Sequence, residues 1–114
     1  MGRRVLVVDD DVLVLELLAY MLAELGCDTL TARSATEALG TLANDQTIEI
    51  LISDINMPGL AGSDLAERAR SYRPYLKVIL LTGGPDDSRG FPLLRKPFAQ
   101  SDLRRVMVET TGFC

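Results

Sequence analysis

Four aspartates follow apolar segments of the chain, where carboxylates could bind a cation or act as nucleophiles. Asp9, Asp10 and Asp11 come after the run Val5–Val8, and Asp54 comes after a second such run. Taken singly, each is typical of a surface loop, and Asp11 is expected to cap a helix. If they lie together, their mutual repulsion raises their pKa values unless a cation is bound. Mg²⁺, which prefers oxygen ligands, is the expected ion.

A hydroxyl and an ammonium group follow two further apolar segments. Thr82 ends one of them, and Lys96 comes shortly after the other. Each also has a plain structural interpretation, as a strand-end threonine or a surface lysine. Beside a metal-bound carboxylate, however, the two groups match the charge of a phosphoryl group in transfer. The acidic triplet, Asp54, Thr82 and Lys96 follow four different apolar segments, and together they favour phosphoryl chemistry.

The composition excludes other kinds of site. The 114 residues include no histidine and only two cysteines, which excludes histidine-based nucleophilic sites and zinc motifs. The net charge of −4 argues against a nucleic-acid or anionic-membrane partner. No apolar run approaches the roughly 20 residues that span a bilayer, and the N-terminus does not read as a signal peptide. We therefore expect one cytoplasmic domain over residues 1–114.

Apolar runs alternate with helical patterns along the chain. The predicted strands are residues 5–8, 28–32, 48–52, 78–81 and 92–94. The predicted helices are residues 11–25, 34–42, 63–72 and 101–110. This alternation predicts an α/β fold with a doubly wound five-stranded parallel sheet. Ligands bind beyond the carboxyl ends of such strands. The acidic triplet, Asp54, Thr82 and Lys96 are all expected at these ends.

The segment after the fourth strand departs from this alternation. Residues 83–90 contain three glycines and one proline, and there is scarcely room for one helical turn where a crossover helix is usual. We expect helix four to be short or absent and this loop to be mobile.

The motifs resemble the receiver domain of bacterial two-component response regulators. The matching residues are Val5–Asp11, Asp54–Gly59 with Gly62, Leu81–Gly83 and Lys96–Phe98. The resemblance runs along the whole chain and keeps the order of the family's motifs. It implies the flavodoxin-like receiver fold, with strand order 2-1-3-4-5.

The resemblance also implies roles for the acidic residues. Asp54 resembles the phosphoacceptor that becomes an aspartyl phosphate. Asp9 and Asp10 resemble the acidic pair that, with Asp54 and the backbone carbonyl of Asn56, holds Mg²⁺.

Further matching positions resemble the phosphate-binding groups of the family. Thr82 resembles the switch hydroxyl, and Lys96 the lysine that pairs with the phosphate. Gly83 resembles a small residue whose N–H faces the phosphoryl oxygens, and Asn56 is matched to the phosphate-binding residues as well. The Lys96–Pro97 bond resembles one that is cis in the family.

The function implied is that of a phospho-accepting receiver in a phosphorelay. The phosphoryl donor would be phosphohistidine on a histidine kinase or phosphotransfer protein, and the signal would pass by protein–protein contact, with no output domain on this chain. Such a receiver catalyses its own phosphorylation and dephosphorylation and is no conventional turnover enzyme. Leu93 stands where most receivers have an aromatic switch residue. The short fourth helix, with Thr82 and Gly83 after strand four, resembles receivers tied to sensor or hybrid histidine kinases.

Helix one presents two apolar stripes. The predicted core face consists of Val14, Leu18, Met21 and Leu25. At 100° per residue, the opposite side carries Val12, Leu15, Ala19 and Leu22. We predict that Val12 and Leu15 contact the phosphodonor, with Pro97 and Phe98 at the rim. Scattered surface aliphatics are the simpler interpretation.

Three alternatives stay open at this point. The first is a pseudo-receiver, a protein-binding module that never takes phosphate; the full set of acids, Thr82 and Lys96 disfavours it. A haloacid-dehalogenase-like phosphohydrolase would need a second aspartate two residues after Asp54, where this chain has Asn56. A flavin-binding domain would need a phosphate-cradling loop, rather than acids, after strand one.

Overall fold

A computed structural model describes residues 3–84 and 88–112 of the chain. The strands are β1 (Arg4–Val8), β2 (Asp28–Ala32), β3 (Ile50–Asp54), β4 (Lys77–Thr82) and β5 (Leu93–Arg95). The helices are α1 (Val12–Glu24), α2 (Ala35–Asn44), α3 (Gly62–Tyr72) and α4 (Gln100–Thr111). Each predicted element is present, with no end shifted by more than two residues.

The five strands form one parallel sheet in the order β2-β1-β3-β4-β5, as predicted. Val5 of β1 pairs with Ile50 of β3, and Leu80 of β4 pairs with Leu93 of β5. The order reverses direction between β1 and β3. This switch point opens a crevice at the carboxyl edge of the sheet.

Two apolar clusters cover the two faces of the sheet. One joins Val5, Val7 and Ile52 to side chains of α1 and α4. The other joins Leu6 and Val8 to side chains of α2 and α3. Because β1, β3 and β4 are buried on both faces, they read in the sequence as continuous apolar runs.

Local sequence signals place the helix ends. The Asp11 carboxylate caps α1 by accepting a hydrogen bond of 2.9 Å from the N–H of Leu13. The Ser34 hydroxyl accepts from the N–H of Glu37 at 3.1 Å, at the start of α2. Gly26, with φ of +83°, takes the left-handed conformation that follows the end of α1.

The predicted orientation of α1 is confirmed for Leu18 and Met21, which are buried in the core, and wrong for the opposite stripe. Leu15 and Leu22, assigned to the exposed side, are only 5% and 0% exposed and pack in the core. Val14 and Leu25, assigned to the core face, are partly buried at its margin. The large apolar residues of α1 that are exposed are Val12, Leu13, Leu17 and Tyr20. The helix is apolar on most sides, so packing against the sheet, and not periodicity, selected the buried stripe.

The connection between β4 and β5 holds no helix among its described residues. Residues 85–87 lie outside the described residues, so the expected mobility of residues 83–90 stays a prediction. Arg89 forms ion pairs from this connection to Asp64 at 2.7 Å and Glu67 at 2.6 Å on α3. The last helix is therefore α4 here, although it follows the fifth strand.

None of the helices in the described ranges is long and apolar enough to cross a membrane.

Candidate functional site

The carboxyl ends of four neighbouring strands bring the predicted site residues together. Asp9 follows β1, Asp54 ends β3 and Thr82 ends β4. Lys96 follows β5, and its N–H donates to the Thr82 carbonyl at 2.7 Å. All four side chains therefore start from one edge of the sheet.

The carboxylates of Asp9, Asp10 and Asp54 form one cluster. Each contributes an oxygen, and these oxygens lie within 4.8 Å of one another. Asp9 and Asp54 are buried, whereas Asp10 is exposed. The N–H of Asp11 donates to Asp9 Oδ1 at 2.9 Å, which fixes the Asp9 side chain. The Asp11 side chain is engaged in the cap of α1.

Lys96 lies between the two buried carboxylates. Its Nζ is 3.2 Å from Asp9 Oδ2 and 3.4 Å from Asp54 Oδ1. The Lys96–Pro97 peptide bond is cis, as the resemblance implied. One ammonium group thus serves two carboxylates, and the cluster keeps negative charge.

The pKa shifts follow from burial and charge at this cluster. Burial raises the pKa of Asp54, and the Asp9 carboxylate raises it further. The hydrogen bonds and charge of Lys96, and the N–H of Asn56, act in the opposite direction without reversing the shift. Burial acts to lower the pKa of Lys96, but the Asp54 and Asp9 carboxylates outweigh it and the pKa is raised. Asp54 therefore favours an added cation, and Lys96 stays protonated.

The donor set fits a hard divalent ion. Three carboxylate oxygens converge, and the Asp9 carboxylate adds to the effect of burial in raising the pKa of Asp54. Oxygen-only ligands with one exposed member, Asp10, suit Mg²⁺, which keeps part of its water shell. The Asn56 carbonyl, implied by the resemblance, stays a predicted ligand.

The Thr82 hydroxyl is buried and joined to the loop that follows. Its Oγ1 donates to the Gly84 carbonyl at 2.8 Å and accepts from the Gly84 N–H at 3.2 Å. Gly83 lies exposed between the two. A change at this hydroxyl would therefore act directly on the start of the short β4–β5 connection.

Sequence reasoning matched Gly62 to a motif but missed its role. A β-carbon there would lie 2.0 Å from the backbone oxygen of Asp54, and the Gly62 N–H donates to the Ile55 carbonyl at 2.9 Å. The start of α3 thus packs directly on the strand end that carries Asp54. Only a residue without a side chain fits, and no local periodicity signals this contact.

Leu93 is partly buried against the apolar cluster on the α3 side. An aromatic residue, Phe91, lies two positions earlier and packs against the same cluster. The Arg70 guanidinium lies 5.4 Å from the centre of its ring. The ring is therefore held by α3, in a different place from the position that Leu93 occupies.

The predicted docking residues have different degrees of exposure. Val12 and Pro97 are exposed, and Phe98 is half-buried. Leu15 is buried in the core, so its side chain is not available to a partner as the structure stands. Leu13 and Leu17 supply exposed apolar surface on α1 instead.

A family model for the response regulator receiver domain matches residues 5–107. The chain belongs to the response regulator receiver family. The receiver is 41% identical over 91 residues to the transcriptional regulatory protein AruR of Pseudomonas aeruginosa. That alignment covers 76% of this chain and 37% of AruR. The chain thus spans little more than a third of this curated relative.

Solved structures show the same fold. A response regulator receiver domain protein from Clostridium thermocellum has a TM-score of 0.87 at 30% identity, covering 96% of this chain and 93% of that chain. The receiver domain of the hybrid histidine kinase CckA has a TM-score of 0.81 at 33% identity, covering 93% of this chain and 96% of that chain. Flavodoxin-like receivers thus include both regulator proteins and parts of kinases.

Proposed function

We propose that this receiver accepts a phosphoryl group on Asp54 from a phosphohistidine of a partner protein. The observation that carries the proposal is the position of Lys96 Nζ, 3.4 Å from Asp54 Oδ1 and 3.2 Å from Asp9 Oδ2. Asp54 belongs to a cluster of three acids and one ammonium group. Family membership supports this role, because the same residues resemble the family's phosphorylation motif.

The transfer step is a displacement at phosphorus. A carboxylate oxygen of Asp54 attacks in line and forms the O–P bond of an acyl phosphate. The P–N bond of the phosphohistidine breaks, and its electron pair goes to the imidazole nitrogen, which takes a proton from solvent. Water later hydrolyses the acyl phosphate, which regenerates the Asp54 carboxylate and inorganic phosphate.

The chain's own acids would hold the metal that this step needs. Asp9, Asp10 and Asp54 would bind Mg²⁺ through carboxylate oxygens, with the Asn56 backbone carbonyl as a further ligand. When bound, Mg²⁺ supplies positive charge that reduces repulsion between the carboxylates and the phosphoryl oxygens.

The remaining residues would stabilise the phosphorylated form. Lys96 already lies beside Asp54 and would pair with a phosphoryl oxygen. The Thr82 hydroxyl would leave Gly84 and bond a second phosphoryl oxygen, and the Gly83 and Asn56 N–H groups would face the phosphate. Exchange of the Thr82 bond is the step that would pass the signal to the β4–β5 connection.

The donor would dock beside the acidic edge. Val12 lies at the start of α1, immediately after the acids, and Leu13 and Leu17 extend this exposed apolar surface. Pro97 and Phe98 follow Lys96 in the chain. We propose this surface for a histidine kinase or phosphotransfer protein, with neither nucleic acid nor membrane as a partner, in the cytoplasm. The similarity to the CckA receiver supports a place for the chain in a phosphorelay, either alone or as a module of a hybrid kinase.

The test is phosphorylation by a small donor. The protein is incubated with acetyl phosphate or phosphoramidate, with and without Mg²⁺, and its intact mass is measured. We expect the mass gain of one phosphoryl group, dependent on Mg²⁺ and absent in Asp54→Asn. A folded protein that never gains this mass would instead support the pseudo-receiver, and a gain that persists in Asp54→Asn would exclude Asp54 as acceptor.

A further inference from the structure

A groove of about 500 Å³ lies between α2 and α3. Its described lining is Leu39, Gly40, Leu42, Ala43, Gln46, Arg68, Ala69, Tyr72 and Arg73. Most of these residues lie in the C-terminal halves of the two helices or just beyond their ends. In a parallel α/β fold, those helix ends lie toward the amino edge of the sheet. The groove is therefore at the opposite end of the molecule from Asp54.

The groove is apolar along its floor and basic at its rim. Its described lining contains two arginines, Arg68 and Arg73, and no aspartate or glutamate. The chain as a whole carries a net charge of −4, so the charge of the groove lining is opposite in sign to that of the whole chain. An apolar groove with such a rim is complementary to an apolar stripe flanked by carboxylates.

Neither of the two arginines forms an ion pair with a carboxylate of the described ranges. Arg73 donates to the carbonyls of Asp45 at 3.2 Å and Gln46 at 3.1 Å, and also to the carbonyl of Ile48. These bonds fix the guanidinium at one end of the groove but leave its charge without an acidic partner. Arg68 is exposed on α3.

Tyr72 forms part of the groove and is 80% exposed. A tyrosine offers a large rigid apolar face with a polar tip, and such residues often dominate binding energy when a partner covers them. In this chain the Tyr72 ring stands at the groove next to Arg73.

Gly40 lies in the middle of α2, where neither the backbone conformation nor a neighbouring atom in this chain requires glycine. Its φ is not in the left-handed region, and a β-carbon built on it would have no atom within 4 Å. Glycine inside a helix costs about 0.5–1 kcal/mol relative to alanine. The open space above it lets another backbone approach α2 closely.

We propose that the groove between α2 and α3 is the docking site for an amphipathic helix of a partner protein, one whose apolar stripe is flanked by glutamate or aspartate. The apolar stripe packs over Gly40 and Ala43 and against Tyr72, and the carboxylates face Arg68 and Arg73. This is the helix-in-groove mode of recognition. The surface is separate from the acidic edge, so a partner can bind here while Asp54 remains accessible.

The test uses two synthetic peptides of about 15 residues, near the length at which isolated helices begin to be stable. Both have leucines at i, i+3, i+4 and i+7; one carries glutamates beside this stripe and its twin carries lysines. Binding is measured by fluorescence anisotropy, and NMR shift changes locate the contact. Net charge alone would favour the lysine peptide. We expect the glutamate peptide to bind about tenfold tighter or more, with shifts confined to α2 and α3.

Variants distinguish binding in the groove from non-specific binding elsewhere on the protein. Arg68→Glu should reverse the preference between the two peptides. Gly40→Leu should weaken binding of the glutamate peptide about tenfold, because the larger side chain fills the groove. Gly40→Ala, which adds only one methyl group in this space, should weaken binding less than Gly40→Leu does. Arg104→Glu, at an exposed arginine on α4, is the matched charge control and should change little. Reversal by Arg68→Glu keeps the test decisive even if Gly40→Leu does not fold.

Three results of the peptide experiment would overturn the proposal. They are absence of binding by the glutamate peptide at millimolar concentration, equal affinity of the two peptides, and shift changes centred on another surface.

A second copy of this chain is the other possible occupant, because α1 exposes Leu13 and Leu17 beside Glu16. Sedimentation showing self-association that Arg68→Glu abolishes would assign the groove to that copy and also overturn the proposal.

Discussion

A β-carbon on Gly62 would lie 2.0 Å from the backbone oxygen of Asp54. The first residue of α3 thus lies directly against the strand end that carries the proposed phosphoacceptor. The same glycine donates its N–H to the carbonyl of the next residue, Ile55, at 2.9 Å, so a hydrogen bond holds the start of α3 beside Asp54. The position of Asp54 depends on this missing side chain.

We predict that Gly62→Ala destabilises the protein by about 1–3 kcal/mol and disturbs Asp54, because the added methyl group must displace backbone. Gly40→Ala is the matched control, since it adds the same methyl group in a helix where nothing lies within 4 Å, and it should stabilise by about 0.5–1 kcal/mol. Urea unfolding of both variants checks this. Equal effects of the two substitutions would contradict the close contact.

Asp54→Asn should abolish phosphorylation and, without Mg²⁺ at neutral pH, raise the melting temperature. Burial and the Asp9 carboxylate raise the pKa of Asp54 above its unfolded value, so its ionised form lowers the free energy of unfolding. An amide of the same shape removes that cost.

The pH dependence gives the sign of this effect. The cost is absent below the unfolded pKa of Asp54 and grows as the pH rises through the raised folded pKa. The difference in melting temperature, variant minus native, should therefore shrink as the pH falls. Thermal melts of both proteins at a series of pH values measure it, and a difference that is constant or grows on acidification would contradict the assigned cause.

Lys96→Ala should destabilise the metal-free protein by about 1–3 kcal/mol, because it leaves the buried Asp9 carboxylate without its counter-charge. Mg²⁺ should still bind and should restore part of this loss, while phosphorylation by acetyl phosphate slows. Lys77→Ala is the control, since Lys77 is the other lysine of the chain and is exposed at the far edge of the sheet. Calorimetric melts with and without Mg²⁺ give both values; a similar loss in the two variants would count against the ion pairs.

Asp10→Asn should weaken Mg²⁺ binding on the order of tenfold, because it removes one charged oxygen ligand from the cluster. Its effect on stability should be small, since Asp10 is exposed. Asp11→Asn is the matched control: its side chain caps α1, and asparagine caps equally well. Isothermal titration with Mg²⁺ distinguishes them, and equal affinities in the two variants would remove Asp10 from the proposed site.

Val12→Ser should slow phosphoryl transfer from a partner phosphohistidine protein about five- to thirty-fold, the equivalent of about 1–2 kcal/mol of lost binding. Labelling by acetyl phosphate should be nearly unchanged. Val108→Ser on α4 is the control, because Val108 and Val12 are each 40% exposed. Rates from both donors give the comparison; if Val12→Ser and Val108→Ser slow transfer equally, the start of α1 is not the docking surface.

The sequence alone determined the fold and the meeting of the site residues. Continuous apolar runs indicated strands buried on both faces, and the alternation with helices required parallel strands. Because parallel strands end at one edge, Asp9, Asp54 and Thr82 had to lie near one another. The proximity of these residues follows from the parallel direction of the strands and their order in the sheet alone.

Only the tertiary structure decided which side of α1 faces the sheet. Leu15 and Leu22 are core residues, although periodicity assigned them to the surface. Apolar residues on most sides of a helix allow two burial stripes, and the contacts that choose between them come from distant parts of the chain.

The same limit applies to contacts made across the fold. The approach of Gly62 to Asp54 and the groove that joins Gly40 to Tyr72 depend on how α2 and α3 pack. Spacing along the chain describes each helix by itself, whereas the distance between two packed backbones is a property of the assembled molecule.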